Sequence, residues 1–454
     1  MADMEAAPAV GPMPDTAPWP SNAAAWYALT VIIIATFLNF FDAGAFGLMI
    51  EQIKGEFHLT NIQMGWLTGP ANIIFYLVVM LPLSRMVDIY PRNLVLAAGM
   101  FFVTIFNATS GLALGFGSLF ALRMFVGAGG SAHAPGAYSL LSDSFPPEKR
   151  ALPFSVLQLG FILATSLGFL IAGHLFAWVQ TFPNMHIGPV NVHGWRWLLL
   201  ILAVPGFLSA LGLLLIKEPK RRGTMGTGDP LPFKTVIAEV WRRRGVYGPL
   251  FISLAFGAAM ALAMPGWFTP FFKRTYGWQE AQIGTYLSPI LLLGQILGLV
   301  GGPVFVNYLA KKYNDANIRA TAIALSIAVP FGISAPLMPN GVLALICFSV
   351  VGAMGIVAAA PQNLAIQLIT PNEMRGQVTG LYLMMFTAFG SLGSLLVGVF
   401  IDKVFGHDAD VWKALLLAYC ILPPISCFFM WRAVKPYGAE VSRLDALTPS
   451  PTIH

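Results

Sequence analysis

The sequence predicts an all-α integral membrane protein: twelve transmembrane helices in two pseudo-twofold-related six-helix bundles. Three observations predict it. The 454 residues are 57% hydrophobic and only 10% charged, with a mean hydropathy of +0.72. Soluble domains carry about 25% charged residues, so too little polar material exists here to coat a water-soluble core. Apolar runs of about 20 residues, enough to cross a bilayer, recur along the whole chain. The second half also repeats the first at a fixed offset.

Residues 1–25 are rich in Ala and Pro and hold no Lys or Arg. They lack the basic start of a secretory leader and read as a flexible cytoplasmic tail. Six spans follow near 26–50, 62–86, 94–115, 118–143, 151–178 and 196–216, forming a bundle over 26–216. A basic cytoplasmic linker occupies 217–245, with Lys220-Arg221-Arg222 and Arg242-Arg243-Arg244 around a Gly- and Pro-rich middle. It suits a segment lying against an anionic leaflet. The second bundle, 246–432, holds spans near 246–272, 281–309, 318–338, 341–369, 376–402 and 411–432, and 433–454 forms a cytoplasmic tail. Of the 26 Lys and Arg residues, nineteen fall on one side of this arrangement, six on the other, and Arg123 lies within a span. By the positive-inside rule both termini are cytoplasmic. The net charge of +6 is therefore a topology signal and not a sign of nucleic-acid binding.

The repeat is specific. Pro146, Glu148 and Arg150 recur 225 residues later as Pro371, Glu373 and Arg375, and Ser166-Leu167-Gly168 recurs as Ser391-Leu392-Gly393. Parallel repeats of this kind let one half rock against the other around a midplane site. With twelve spans and a basic central loop, the chain resembles the major facilitator superfamily. Ser84 to Asn93, with Asp88 and Arg92, is similar to the signature of its loop between spans two and three. Asn39-Phe40-Phe41-Asp42, Leu122-Arg123 with Val126-Gly127, and Ile216-Lys217-Glu218-Pro219 resemble the Spinster-like branch, as in a bacterial homologue. That branch has Arg after its first-span Asp and Glu seven positions after its fourth-span Arg. Here Ala43 and Gly130 stand in those places.

Asp42 and Arg123 are the ionisable residues, histidines aside, well inside spans. Each costs on the order of 2.5–3.5 kcal/mol at a helix centre, so each requires a partner or a wet cavity. Their equal depth pairs them. Asp42 is then the proton-coupling residue, and Arg123 switches between Asp42 and an anionic group of the substrate; a permanent structural pair is the alternative. Asn39, His133 and Gln158 complete the candidate substrate-binding set, and His133 is also a candidate proton relay. A gating set is expected on the basic side. Asp88 would cap the start of the eleventh span near Gly376, Arg92 belongs to the same gating set, and Glu148/Arg150 and Glu373/Arg375 would tie the halves.

The function expected is secondary active transport by alternating access. It is proton-linked, takes a small-molecule or lipid substrate, and runs on a proton gradient without a cofactor. The Spinster-like resemblance implies an amphipathic anion such as a lysophospholipid or sphingoid phosphate. A symporter of small organic or aromatic carboxylates is the alternative. A multi-span lipid-modifying enzyme is disfavoured, because no nucleophile–base set or paired carboxylates stand within reach. No metal-ligand spacing occurs, and Cys347, Cys420 and Cys427 all fall in apolar runs. The expected state is a monomer in a bacterial inner membrane.

Overall fold

The computed structural model describes residues 18–221 and 232–447. The rest of the tails and of the linker, and the side chains of Asp88 and Glu373, lie outside the described residues. Twelve spans are present. Eleven are helices long and apolar enough to cross a membrane; the remaining one is the fourth, made of two shorter helices. In order the spans are Asn22–Phe57, Asn61–Thr68 continued by Pro70–Ile89, Arg92–Ser110, Phe116–Gly130 continued by His133–Ser144, Ala151–Val179 and Trp195–Leu214. The second half holds Arg244–Tyr276, Glu280–Ala310, Ala316–Ser334, Gly341–Ile369, Asn372–Val399 and Val411–Leu447.

The structure corrects the sequence expectation in four places. The fourth span is not continuous, because Pro135 lacks an N–H and its ring crowds the carbonyl four residues earlier, at Ser131, where the helix breaks. The last span runs on as helix to Leu447, through most of what was expected to be tail. The linker contains a ten-residue helix, Phe233–Arg242. Beyond the fifth span a short antiparallel hairpin pairs Met185–Ile187 with Val190–Val192.

The two halves meet closely on the face opposite the basic loops, hereafter the far face. There glycines bring backbones together. A Cβ on Gly47 of the first span would lie 2.2 Å from the Pro265 carbonyl oxygen of the seventh. One on Gly69 would lie 2.2 Å from the Ser391 carbonyl oxygen, and one on Gly284 2.4 Å from that of Phe169. A turn closer to the basic face than Gly47, Phe40 and Ala43 are exposed, and Cβ atoms on Gly376 and Gly380 would meet nothing within 4 Å. The molecule is closed on the far face and open toward the basic one.

Candidate functional site

Asp42 and Arg123 are paired, as their equal depth requires. Arg123 Nη2 lies 2.7 Å from Asp42 Oδ2, and Nη1 donates to Asp42 Oδ1 at 3.3 Å. Asn107 of the third span completes a triangle. Its Nδ2 donates to Asp42 Oδ1 at 2.7 Å, and its Oδ1 accepts from Arg123 Nη1 at 3.2 Å. The Phe46 ring, one turn beyond Asp42, faces the guanidinium with its centroid 4.1 Å from Cζ. Such a cation–π contact partly replaces lost hydration. Small residues let the fourth span approach. Gly127 lies against the Asn72 backbone of the second span, where a Cβ would stand 1.7 Å from the Asn72 carbonyl oxygen.

The pair is sealed inside the first half. Arg123 has no solvent exposure and Asp42 only 7%. Arg123 Nε is buried without a partner. Asp42 faces a cavity of about 20 Å³ between the first, third and sixth spans, shared with Thr104 and Asn107. That is room for about one water molecule. The substrate-binding role expected of Arg123 is thus not exercised in this conformation, since Asp42 and Asn107 hold its guanidinium.

The other expected site residues separate into two groups. His133, at the start of the helix after the break, sits with Nε2 2.8 Å from Thr36 Oγ1. Thr36 Oγ1 also lies 2.8 Å from the Ile32 carbonyl oxygen. Thr36 is six residues before Asp42, about 9 Å along the helix; His133 packs the first and fourth spans together and makes no contact with the carboxylate. Asn39 and Gln158, by contrast, stand toward open space. Asn39 donates to the Ala35 carbonyl at 3.2 Å and lies beside Gly130, where a Cβ would be 3.4 Å from its Oδ1. Gln158 is exposed and accepts from the Tyr138 hydroxyl at 3.2 Å. Tyr138 stacks on Phe154, and Phe40 meets Phe161 edge-on.

On the basic face Arg92 is buried and bound within the first half. It pairs with Asp143 and with Glu218 (2.7 Å), and donates to the Pro219 carbonyl at 3.0 Å. It therefore staples the third, fourth and sixth spans and makes no tie to the second half in this conformation. Arg150 donates locally to the Phe145 carbonyl at 3.0 Å, while Glu148 and Arg375 are exposed. The Asp88 and Glu373 side chains, also expected to gate, lie outside the described residues.

The well-formed latch is on the far face, and sequence reasoning missed it. Asn61, first residue of the second span, is 2% exposed. Its Nδ2 donates to Asp402 Oδ1 and Asp408 Oδ1, both at 2.6 Å, and its Oδ1 accepts from Arg274 at 2.8 Å. Asp402 Oδ2 also accepts the Ile62 backbone N–H at 2.8 Å, capping the second span from the opposite half. A π-helical turn, Phe400–Phe405, presents this carboxylate; such wide turns are common at functional sites. Lys54 pairs with Asp408, and Arg274 Nη2 with Glu51 at 2.7 Å. Nearer mid-depth, Thr68 bonds Ser394 at 2.6 Å, and Thr165 bonds Gln295 at 3.2 Å.

Two six-helix halves, latched on one face and parted on the other, with an ion pair buried in the first half, define a membrane transporter. The chain belongs to the Major Facilitator Superfamily, whose family model matches residues 32–394. It is similar to "Uncharacterized transporter YybO" of Bacillus subtilis, at 23% identity over 87% of this chain and 90% of that one. It is also similar to "Protein spinster" of Drosophila melanogaster, at 23% identity over 84% of this chain; there the match spans 63% of the fly protein. Among solved structures, it shares the fold of a bacterial homologue of the human lysosomal transporter Spinster in an inward-facing, unoccupied conformation. That match has a TM-score of 0.73 and 22% identity, covering 95% of this chain and all of that one. The chain is a multi-pass membrane transporter of this superfamily and not an enzyme, and it is similar to Spinster proteins.

Proposed function

We propose that the chain is a proton-linked carrier of an amphipathic anion, such as a lysophospholipid or sphingoid phosphate, in the bacterial inner membrane. The basic face is then cytoplasmic, and the conformation described is inward-open. The observation that carries the coupling is the sealed Asp42–Arg123–Asn107 triangle beside its one-water cavity. A proton taken up by Asp42 releases the Arg123 guanidinium, and a buried cation without its carboxylate must find another anion. The substrate's acidic group fills that need, so binding and protonation become linked. The exposed aromatic pairs Phe40–Phe161 and Tyr138–Phe154 suit an apolar body, with the Asn39 and Gln158 amides for its polar portion. Asp88, at the basic end of the second span, serves as the cytoplasmic cap that replaces the Asp402 latch when the carrier turns outward. No cofactor enters this scheme, and one chain contains a complete pathway.

A second reading, a symporter of small carboxylates, draws support from relatives named "Probable L-galactonate transporter" and "4-hydroxybenzoate transporter PcaK", at 22% and 26% identity. Proteoliposomes under an imposed pH gradient separate the two. Gradient-driven uptake of a labelled lysophospholipid, lost in Asp42→Asn while substrate exchange persists, is the result expected. Uptake of 4-hydroxybenzoate in its place would transfer the assignment to carboxylates. Full gradient-driven uptake by Asp42→Asn would refute the coupling role.

A further inference from the structure

The linker helix Phe233–Arg242 has an apolar sector only half covered by protein. Val236 is fully buried, in a cluster with Tyr247, Met374 and Tyr437, and Val240 packs beside it. One position along from each, Ile237 and Trp241 share the adjoining face, being four residues apart, and are 45% and 70% exposed. Among the described residues no carboxylate pairs with Lys234 or Arg244, both exposed and flanking this stripe, and the Arg244 guanidinium lies 5.9 Å from the Trp241 ring. The helix ends at Arg242, and the seventh span begins at Arg244, so the stripe lies at the level where a span enters the bilayer. A bare Trp and Ile beside two unpaired cations at that depth match the chemistry of a membrane surface: ring and aliphatic carbons toward acyl chains, cations toward phosphates.

We propose that this helix is an interfacial anchor that binds anionic glycerophospholipid in the leaflet at the basic face, through Ile237, Trp241, Lys234 and Arg244. The anchor is rigidly joined to the second half. Arg243, in the turn between helix and span, bonds Glu239 at 2.6 Å and Glu440 of the last span at 3.0 Å. The Arg242 and Arg243 guanidiniums hold the Glu239 carboxyl below the usual range despite its partial burial, so this clamp stays charged at neutral pH. Lipid bound here would fix the second half against the leaflet while the first half moves.

The test uses the full chain in uncharged detergent, with its melting temperature followed as phosphatidylglycerol, phosphatidylcholine or inorganic phosphate is added. Phosphatidylglycerol should stabilise the wild type beyond phosphatidylcholine, and that excess should vanish in Lys234→Gln/Arg244→Gln. Equal shifts from the two lipids, or an excess that survives the double substitution, would overturn the proposal. An equal shift from inorganic phosphate would also overturn it, by reducing the site to a simple anion site. Should the double variant not fold, quenching by brominated phosphatidylglycerol decides. Wild type should lose more emission than Trp241→Phe, and equal losses would refute contact of Trp241 with lipid.

Discussion

Asp402→Ala tests the far-face latch most directly. With the far face closed this carboxylate accepts two hydrogen bonds from the other half, from Asn61 Nδ2 at 2.6 Å and from the Ile62 N–H at 2.8 Å. Hydrogen bonds to a charged group contribute about 1.5–3 kcal/mol each, and Thr60 still caps the second span when Asp402 is gone. The site is partly open to water and the two bonds share one acceptor, so about 3 kcal/mol is a fair joint figure. Both bonds break when the far face opens, hence nearly all of that energy enters the conformational equilibrium. About 3 kcal/mol is roughly a hundred-fold. A protein populating the state with the far face open at about 1% would then populate the two states almost equally. Spin labels on the far ends of the fifth and eighth spans, at Thr181 and Gln279 in a background lacking Cys347, Cys420 and Cys427, would report this by double electron–electron resonance. A second, longer distance should gain weight in Asp402→Ala. An unchanged distance distribution would show that the glycine contacts alone close this face.

Four other outcomes follow from the same geometry. Arg123→Leu leaves Asp42 charged and buried and should destabilise the chain by about 3–5 kcal/mol, whereas Asp42→Asn with Arg123→Gln should recover part of that loss; thermal unfolding in detergent measures both. Asn107→Leu removes a donor to Asp42 and an acceptor from Arg123, at a cost of about 1–3 kcal/mol, and should weaken substrate-induced proton movement in proteoliposomes more than substrate exchange. Gly47→Leu places a side chain where a Cβ alone would be 2.2 Å from the Pro265 carbonyl oxygen; it should hold the far face open, read as a larger label separation than in Asp402→Ala. His133→Asn keeps a hydrogen-bonding group toward Thr36 and should leave proton coupling intact, since the ring does not touch Asp42; loss of gradient-driven uptake would restore it as a relay.

The spans were legible because the cost of exposing polar backbone to lipid forces each crossing to be a long apolar helix. The fourth escaped in part: its apolar run is continuous, and the break at Ser131 comes from Pro135 four residues on. Asp42 and Arg123 were legible for the related reason that a charge inside a span is too costly to be incidental. Asn107 was not. An amide in a span signals hydrogen bonding to some neighbour, and nothing local says that the neighbour is an ion pair. The far-face latch was least visible. Lys54, Arg274, Asp402 and Asp408 stand at span ends, where charges are ordinary. Asn61 and Asp402 are 341 residues apart and meet only once the halves dock. Hydropathy fixes how deep a residue lies but carries no information about which face of another helix it will meet.

The latch gives the proposed role of Asp88 a sharper basis than sequence similarity does. The second and eleventh spans are antiparallel neighbours across the boundary between the halves, as the approach of Gly65 and Gly69 to Ser394 and Ser391 shows. Each helix exposes unpaired N–H groups at its start and carries a carboxylate near its end. Asp402, three residues beyond the eleventh helix, caps the start of the second. Asp88 is one residue before the end of the second, and in the proposed scheme it takes the corresponding role toward the start of the eleventh. Two stiff helices that part at one end and close at the other complete one cap while breaking the other, because both cannot be in contact at both ends throughout the rocking of the halves. Each carboxylate then stabilises one conformation only, and the difference between two similar caps is small. A carrier needs that balance: two firm closures, each worth a few kcal/mol, whose exchange leaves the overall equilibrium close enough to even for a substrate to tip it.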